Sequence, residues 1–481
     1  MAGMRLGPSS SAPTTAALVA ALLVAPQIAS KAARDALFLA SFDVGSLPLM
    51  TSGAAVASLV ATLLFSRILA RTPPARVLAR ALALSLLLFV VEARLAPSLP
   101  RAAAVLLYLH YATFGAVLLS SFWSVVSERF DPHAAKRAMG GIGAGASLGG
   151  VLGGLLAWRA AGHLSMPALL LALAAATGLG LAGVVALTRG AAALRGAHPA
   201  PAEARSGLAA VTRVPYLRQL ALLVLLGALL EVVLDYLLSA SASARFGKGP
   251  GLLSFFAVFH TLTAALALLL QATLTQRLLQ GPGIAATLGL QPAVSLGSAG
   301  LAFLAPGFPS LLVLRGAHAV LRNSAFRAAY ELLYSPLPPE QKRPAKVIVD
   351  VACDRLGTLL GSGAVMVVLA LAGPAAAARG LLLVAATAAG VALLLTRQFR
   401  ADYVTALGDS LRAGHVALEP GAPAEPTTLL TLASLRLDTA TATGRTDGLS
   451  EQIAALRSGD TARVQRVLDR PVLDAPLVPQ A

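Results

Sequence analysis

In the stretch "LRGAHAVLRNSAFRAAYELLY", Arg315, His318 and Arg322 stand at i, i+3 and i+7, so a helix places all three on one face. Asn323, Arg327 and Glu331 form a neighbouring stripe. Two guanidiniums and an imidazole on one face suit an anion, because the planar fork of Arg matches carboxylate or phosphate oxygens two at a time. A second group, "SKAARDALFL", gathers Lys31, Arg34 and Asp35, and a third, "LLEVVLDYLL", sets Glu231 and Asp235 four apart. Two readings stay open. Either the cations hold an anionic small molecule, or Asp35, Glu231 and Asp235 neutralise them in a fixed ion-pair core; both hold if the pairs exchange. Further on, "AKVIVDVACDRLG" places Lys346, Asp350 and Asp354 at i, i+4 and i+8 with Arg355 beside them, a pattern that fits a gate or interhelix latch better than a ligand contact. His110, His260 and His318 are candidate proton relays, since imidazole titrates near neutrality, or plain hydrogen-bonding groups. No two of the seven histidines have metal-ligand spacing and Cys353 is the only cysteine, so neither a metal nor another cofactor is expected. There is no Walker A sequence, nucleophile elbow or kinase signature, which argues against ATP hydrolysis and against an enzyme.

These charges sit in a chain of 481 residues that is 57% hydrophobic and 12% charged, with a mean hydropathy of +0.75. No ordinary soluble domain of this size has that composition, and the partner it requires is a lipid bilayer. Apolar runs close to the roughly 20 residues that span a bilayer recur throughout. They predict an all-α polytopic membrane protein of twelve transmembrane helices, at 14–42, 47–69, 77–96, 102–128, 139–158, 166–188, 217–242, 252–275, 283–305, 309–333, 347–372 and 377–396. The net charge of +16 is spread by loop and not clustered with aromatics, which excludes a nucleic-acid partner. Arg67, Arg71, Arg76 and Arg80 mark the connection after helix 2, Arg129, Lys136 and Arg137 that after helix 4, Arg189, Arg195, Arg205 and Arg213 that after helix 6, and Lys342, Arg343 and Lys346 that after helix 10. The positive-inside rule then puts these connections and both termini in the cytoplasm, as suits a bacterial inner membrane. The opening residues, with Arg5 and a weak "IAS" site, also allow a signal-peptide reading, which would leave eleven spans and upset the charge alternation.

The two halves of the chain resemble each other. Lys31 and Asp35 answer Glu231 and Asp235 across 200 positions, Arg67 answers Arg277, Phe122 and Glu128 answer Phe326 and Glu331, and Lys136-Arg137 answer Lys342-Arg343. Two six-helix halves in the same orientation are the plan of the major facilitator superfamily. The division is 1–188 for the first half, 189–216 for a cytoplasmic linker, 217–397 for the second half and 398–481 for a cytoplasmic tail. In that plan helices 1, 4, 7 and 10 line a central cavity and 3, 6, 9 and 12 face lipid. The charges follow it: helices 6, 9 and 12 have uncharged interiors, and helix 3 carries only Arg80 and Glu92, both near its ends. Charge at mid-membrane costs at least about 2.5–3.5 kcal/mol per residue, so the charges of helices 1, 7 and 10 mark function. The run "GGIGAGASLGGVLGG" contains a G-x-G pattern but follows no strand, and small residues at this spacing let helices pack closely. The tail suggests two amphipathic helices, around Thr427–Leu437 and Ser450–Arg470, resembling a truncated helical repeat that would take a protein partner; the chain is expected to be a monomer.

The motifs "SKAARDALFL", "FWSVVSERFDPHAAKR", "LLEVVLDY" and "RNSAFRAAYELLYSPLPPEQKRPAKVIVDVACDRLG", in this order between Pro26 and Arg400, resemble the nucleotide transporter (ATP/ADP translocase) family of intracellular bacteria and plastids. The resemblance implies a twelve-helix carrier of nucleotides, in which Lys31 matches the family's helix 1 lysine and Glu231 its helix 7 glutamate. The chain departs from the pattern twice. Tyr111 stands where exchangers tend to have a glutamate about eleven residues before "FW", and Thr358 stands where a lysine is expected after the "LG" of helix 11. What is implied is therefore a nucleotide or related organic anion carried by alternating access. A proton-coupled drug or metabolite exporter that protonates Asp35, Glu231 or Asp235, and a membrane scaffold or sensor acting through its tail, are the alternatives.

Overall fold

The computed structural model describes residues 12–69, 72–129, 132–188, 211–334, 337, 345, 346 and 348–412. Hydrocarbon offers the backbone no hydrogen-bond partner, and the described residues close their own bonds in helices and short turns. The membrane helices are α1 (Ala12–Ser41), α2 (Leu47–Leu69), α3 (Pro74–Ser98), α4 (Pro100–Arg129), α5 (Pro132–His163), α6 (Met166–Thr188), α7 (Pro215–Phe246), α8 (Pro250–Thr273), α9 (Gly283–Leu304), α10, α11 (Ile348–Leu371) and α12 (Pro374–Arg412). Among the described residues, eleven helices are long and apolar enough to cross a bilayer. The twelfth, α10, is built in three pieces, Phe308–Leu321, a π-helical turn Arg322–Phe326, and Arg327–Leu332. A second π-helical turn, Ile348–Cys353, opens α11. Proline stands at the first turn of α3, α7, α8 and α10, where its missing N–H has no intrahelical partner to lose.

All twelve predicted helices are present. The largest difference is α12, which continues to Arg412, well past its predicted end at 396. Its polar extension is held by tertiary contacts: Phe399 and Tyr403 pack edge-on against Tyr216, and Gln219 Nε2 donates to Asp402 Oδ2 at 2.7 Å. The two tail segments around 427–437 and 450–470, most of the linker, and Lys342 and Arg343 lie outside the described residues.

The packing repeats itself. Helix α1 packs on α4, α5 and α6 as α7 packs on α10, α11 and α12; α3 packs on α4 and α6 as α9 packs on α10 and α12. Between the halves, α5 meets α8 and α2 meets α11. Glycines fix the register. A Cβ on Gly149 or Gly153 would overlap the carbonyl oxygens of Ala21 and Ala25, and a Cβ on Gly357 or Gly361 would crowd those of Leu225 and Leu229. Residues 21 and 25 of α1 thus answer 225 and 229 of α7, an offset of 204 residues. The offset of 200 read from the charges is one helical turn short, so Lys31 answers Asp235 and not Glu231. Charges spaced by four fit either register, and the glycine contacts decide their depth.

The apolar cores show how the halves meet. At the end of the bundle where α1 and α7 finish, a single core joins both halves, running from Phe38 and Leu39 through Leu234 and Phe256 to Leu381. At the other end, which carries the Arg- and Lys-rich connections and is called here the basic end, the cores are separate. One holds Val19, Leu82, Phe122 and Ile142 of the first half, the other Leu220, Leu288, Tyr330 and Phe399 of the second. Among the described residues the apolar core is therefore continuous between the halves at the far end and divided at the basic end.

Candidate functional site

Where the single core gives way to two, polar side chains from α1, α2, α4, α7, α8 and α11 enclose a cavity of about 360 Å³. This lies within the range of about 300–1,000 Å³ usual for small-molecule sites. From the first half come Lys31, Arg34 and Asp35, one helical turn of α1, with Tyr108 and Tyr111 of α4. Arg34 donates from Nε and Nη2 to Asp35 Oδ1 at 2.8 and 2.5 Å. Its guanidinium carbon lies 4.5 Å from the ring centre of Tyr108 and 4.7 Å from that of Tyr111, a double cation–π contact. The other oxygen of Asp35 accepts from His260 Nε2 of α8 at 3.1 Å, a bond from one half to the other. Asp35 thus serves Arg34 and His260. Lys31 lines the cavity and makes no hydrogen bond or ion pair among the described residues.

The second half contributes a chain of alternating charges. Arg315 Nε donates to Asp235 Oδ1 at 2.6 Å and its Nη2 to Glu231 Oε1 at 3.1 Å. Arg322 binds Glu231 Oε2 at 3.1 Å through Nε and Asp354 Oδ1 at 3.1 Å through Nη2. Arg355 closes the chain on Asp354 Oδ2 at 3.2 Å. Gly227 leaves room for this arrangement, since a Cβ there would come within 2.8 Å of Arg322 Nη1. Around the cavity, Lys31, Arg34, Arg315, Arg322 and Arg355 stand with Asp35, Glu231, Asp235 and Asp354, and Lys31 is the cation left over.

The face expected on helix 10 divides. Arg315 is only 2% exposed and turns to α7. His318 is fully buried and turns to α9, where Gln291 Nε2 and Ser295 Oγ lie 3.0 and 3.1 Å from its Nδ1. Arg322 reaches α7 and α11, and Asn323 is exposed away from the cavity. The lower stripe forms a separate cluster. Arg327 and Lys346 bind Glu331 at 2.8 and 2.5 Å, and Tyr330 donates to Asp350. The set expected to form a gate is thus split: Lys346 and Asp350 tie the start of α11 to α10, while Asp354 and Arg355 line the cavity. The side chain of Glu128 lies outside the described residues. Sequence reasoning missed Gln291 and Ser295, which carry no charge to set them apart.

No protein-family model matches the chain, and no curated protein matches it. Solved structures do. A point mutant of the nucleoside transporter NupG aligns with a TM-score of 0.61 at 15% identity, covering 81% of this chain and 99% of that one. A bacterial homologue of the iron transporter ferroportin in an inward-facing state gives 0.60 at 15%, covering 82% and 99%. A bacterial homologue of the lysosomal transporter Spinster, inward-facing and unoccupied, gives 0.56 at 13%, covering 86% and 100%. At these identities the likeness is one of fold: the chain is an all-α polytopic membrane protein with the major facilitator architecture of these transporters.

Proposed function

We propose that the protein is a secondary transporter that carries a nucleotide or related organic anion by alternating access, with Lys31 and Arg34 as its first anion contacts. The observation that carries this reading is Lys31: a cation at membrane depth, facing a cavity between two halves, that makes no hydrogen bond or ion pair among the described residues. An unpaired charge at such depth is retained for a ligand. Arg34 is held by Asp35 and two aromatic faces, so its guanidinium is presented ready oriented. Fold and state agree with the reading. The solved neighbours are transporters, and an apolar core continuous at one end and divided at the other fits one of the two states alternating access requires. The positive-inside rule makes the divided end cytoplasmic.

The two departures from the nucleotide-transporter pattern tell against strict ATP/ADP exchange and bear on which anion is carried. Tyr111 and Thr358 both line the cavity. Together they replace one acid and one base of the family pattern, so the net charge of the site is unchanged while two contacts differ. Transport of a cation is a second reading, favoured by Asp235, whose side chain is 43% exposed. A melting-point screen of the detergent-purified protein against nucleotides, phosphorylated metabolites and amphiphilic cations separates the two, because a ligand of the folded state raises its melting point. A nucleotide shift that vanishes in Lys31→Ala supports the anion carrier; a shift with cations alone refutes it.

A further inference from the structure

Away from the cavity, the first half contains a buried triad. His110 of α4 approaches Glu92 Oε1 with Nδ1 at 2.9 Å and Ser85 Oγ with Nε2 at 2.8 Å, both partners being on α3. Glu92 is fully buried, Ser85 is 1% exposed and His110 4%. Glu92 lies six residues before the end of α3, on the face that also buries Ser85 and Phe89. The second oxygen of Glu92, Oε2, is buried with no hydrogen-bond partner. The rings of Phe89 and Phe114 stand 4.6 and 5.3 Å from that of His110 and help to keep the site dry.

The second half holds the same arrangement without the acid. His318 answers His110 at an offset of 208 residues, and Ser295, which binds His318, answers Ser85 at 210. In the place of Glu92 the repeat has Ala302, and the second partner of His318 is the amide of Gln291. One half therefore has a titratable pair where the other has a neutral one.

A carboxylate beside a neutral imidazole in a dry site is a buried net charge, which low-dielectric surroundings disfavour. One added proton removes it. The proton makes either an imidazolium that donates to Glu92 and Ser85, or a Glu92 carboxylic acid beside neutral His110; both forms contain the same number of protons. On the two helices that carry the pair, the other charges with described side chains are Arg76, Arg80 and Arg94 of α3 and Arg101 of α4, and none of them bonds to it. Facing α3 and α4, helix α6 has no titratable residue and α2 has only Arg67 near its end; those of α5 whose side chains are described, Arg159 and His163, are in its last turns. Helix α1 offers Gln27 and Ser30 toward His110, while its Lys31, Arg34 and Asp35 face the cavity. Tyr111 borders both spaces, with Arg34 stacked on its ring. An anion arriving at Lys31 and Arg34 adds negative potential one aromatic ring away and favours the proton at Glu92–His110; by reciprocity the proton favours the anion.

We propose that the Glu92–His110 pair is a proton-binding site through which the first half couples a proton to the anion in the cavity. The coupling rests on the carrier reading above; the proton site does not. Infrared difference spectra of the purified full-length protein between acid and alkaline buffers test the site directly. A carboxyl band sensitive to deuterium exchange, or imidazolium bands, should titrate in the wild type; Glu92→Gln should remove any carboxyl band, His110→Gln any imidazolium bands, and each should shift what remains. Glu92→Gln should fold, because the second half already pairs His318 with a glutamine, and an unchanged melting point checks this. In liposomes with the potential clamped at zero, radiolabelled ADP should accumulate about tenfold for each unit of inward acid gradient, the limit for one proton per turnover. In Glu92→Gln, accumulation should fall to equality while exchange of preloaded ADP persists. Spectra that titrate identically in wild type and both variants overturn the proton site, and accumulation retained by Glu92→Gln overturns the coupling. If ADP is not carried at all, the carrier reading fails for that probe and the spectra alone decide the proton site.

Discussion

The bond between Asp35 and His260 crosses from α1 to α8 at the far end, so opening that end must break it. The two side chains are 13% and 8% exposed, and a hydrogen bond to a charged group contributes about 1.5–3 kcal/mol. Replacing His260 by Phe removes the bond while keeping a ring beside Phe256 and Phe259, whose ring centres lie 6.1 and 5.4 Å away. Taking the lower figure, because Asp35 keeps its contacts to Arg34, the loss of about 1.5 kcal/mol multiplies the odds of the far-end-open state roughly tenfold. A state present at about 1% would rise to about 10%, within the usual range for minor conformers. Spin labels at Gly45→Cys and Lys248→Cys, exposed on the α1–α2 and α7–α8 connections, would report the separation across that end in a Cys353→Ser background. A second, longer distance should gain amplitude in His260→Phe. An unchanged distance distribution would refute the idea that this bond helps to hold the far end closed.

Other expectations follow from the packing and the ion pairs. Gly149→Leu and Gly153→Leu push into the backbone of α1 and should lower stability by about 1–3 kcal/mol or more, whereas Gly143→Leu, with nothing within 4 Å of its added Cβ, should melt like the wild type. Arg315→Leu should cost about 1.5–3 kcal/mol by removing its hydrogen bonds to the partly exposed Asp235 and Glu231, and Asp235→Asn in the same chain should restore part of the melting point. Gly227→Ala should displace Arg322 from Glu231 and Asp354 and weaken ligand binding several-fold while changing the melting point little, as read by titration of the ligand found in the thermal screen.

Much of the fold is legible in the sequence because lipid imposes one rule, long apolar helices, and the loops carry the orientation in their charges. The site is only half legible. Residue types announce Lys31, Arg34 and the acids of α7, but not their partners. The face drawn through Arg315, His318 and Arg322 is where helical geometry fails as a guide: at 3.6 residues per turn the two arginines nearly superimpose, while His318 is rotated by about 60°. That angle is enough to direct it to α9 while its neighbours meet α7. Glu92 is visible as a charge on helix 3, but its pairing is not, because the partner His110 lies on another helix. The polar end of α12 looked like tail because its helicity comes from Tyr216 and Gln219, far away in sequence.

That last helix has a mechanical consequence. At about 1.5 Å per residue, the 39 residues of α12 measure about 58 Å, roughly twice the thickness of the hydrocarbon core. The surplus projects from the basic end as a rod, braced at its root against the start of α7 by Tyr216, Phe399 and Tyr403. A rod fixed to one half acts as a lever, turning a small tilt of that half into a larger sweep at its tip. Whatever is joined beyond residue 412 starts from that tip, so each cycle of the second half would be delivered to it as a displacement.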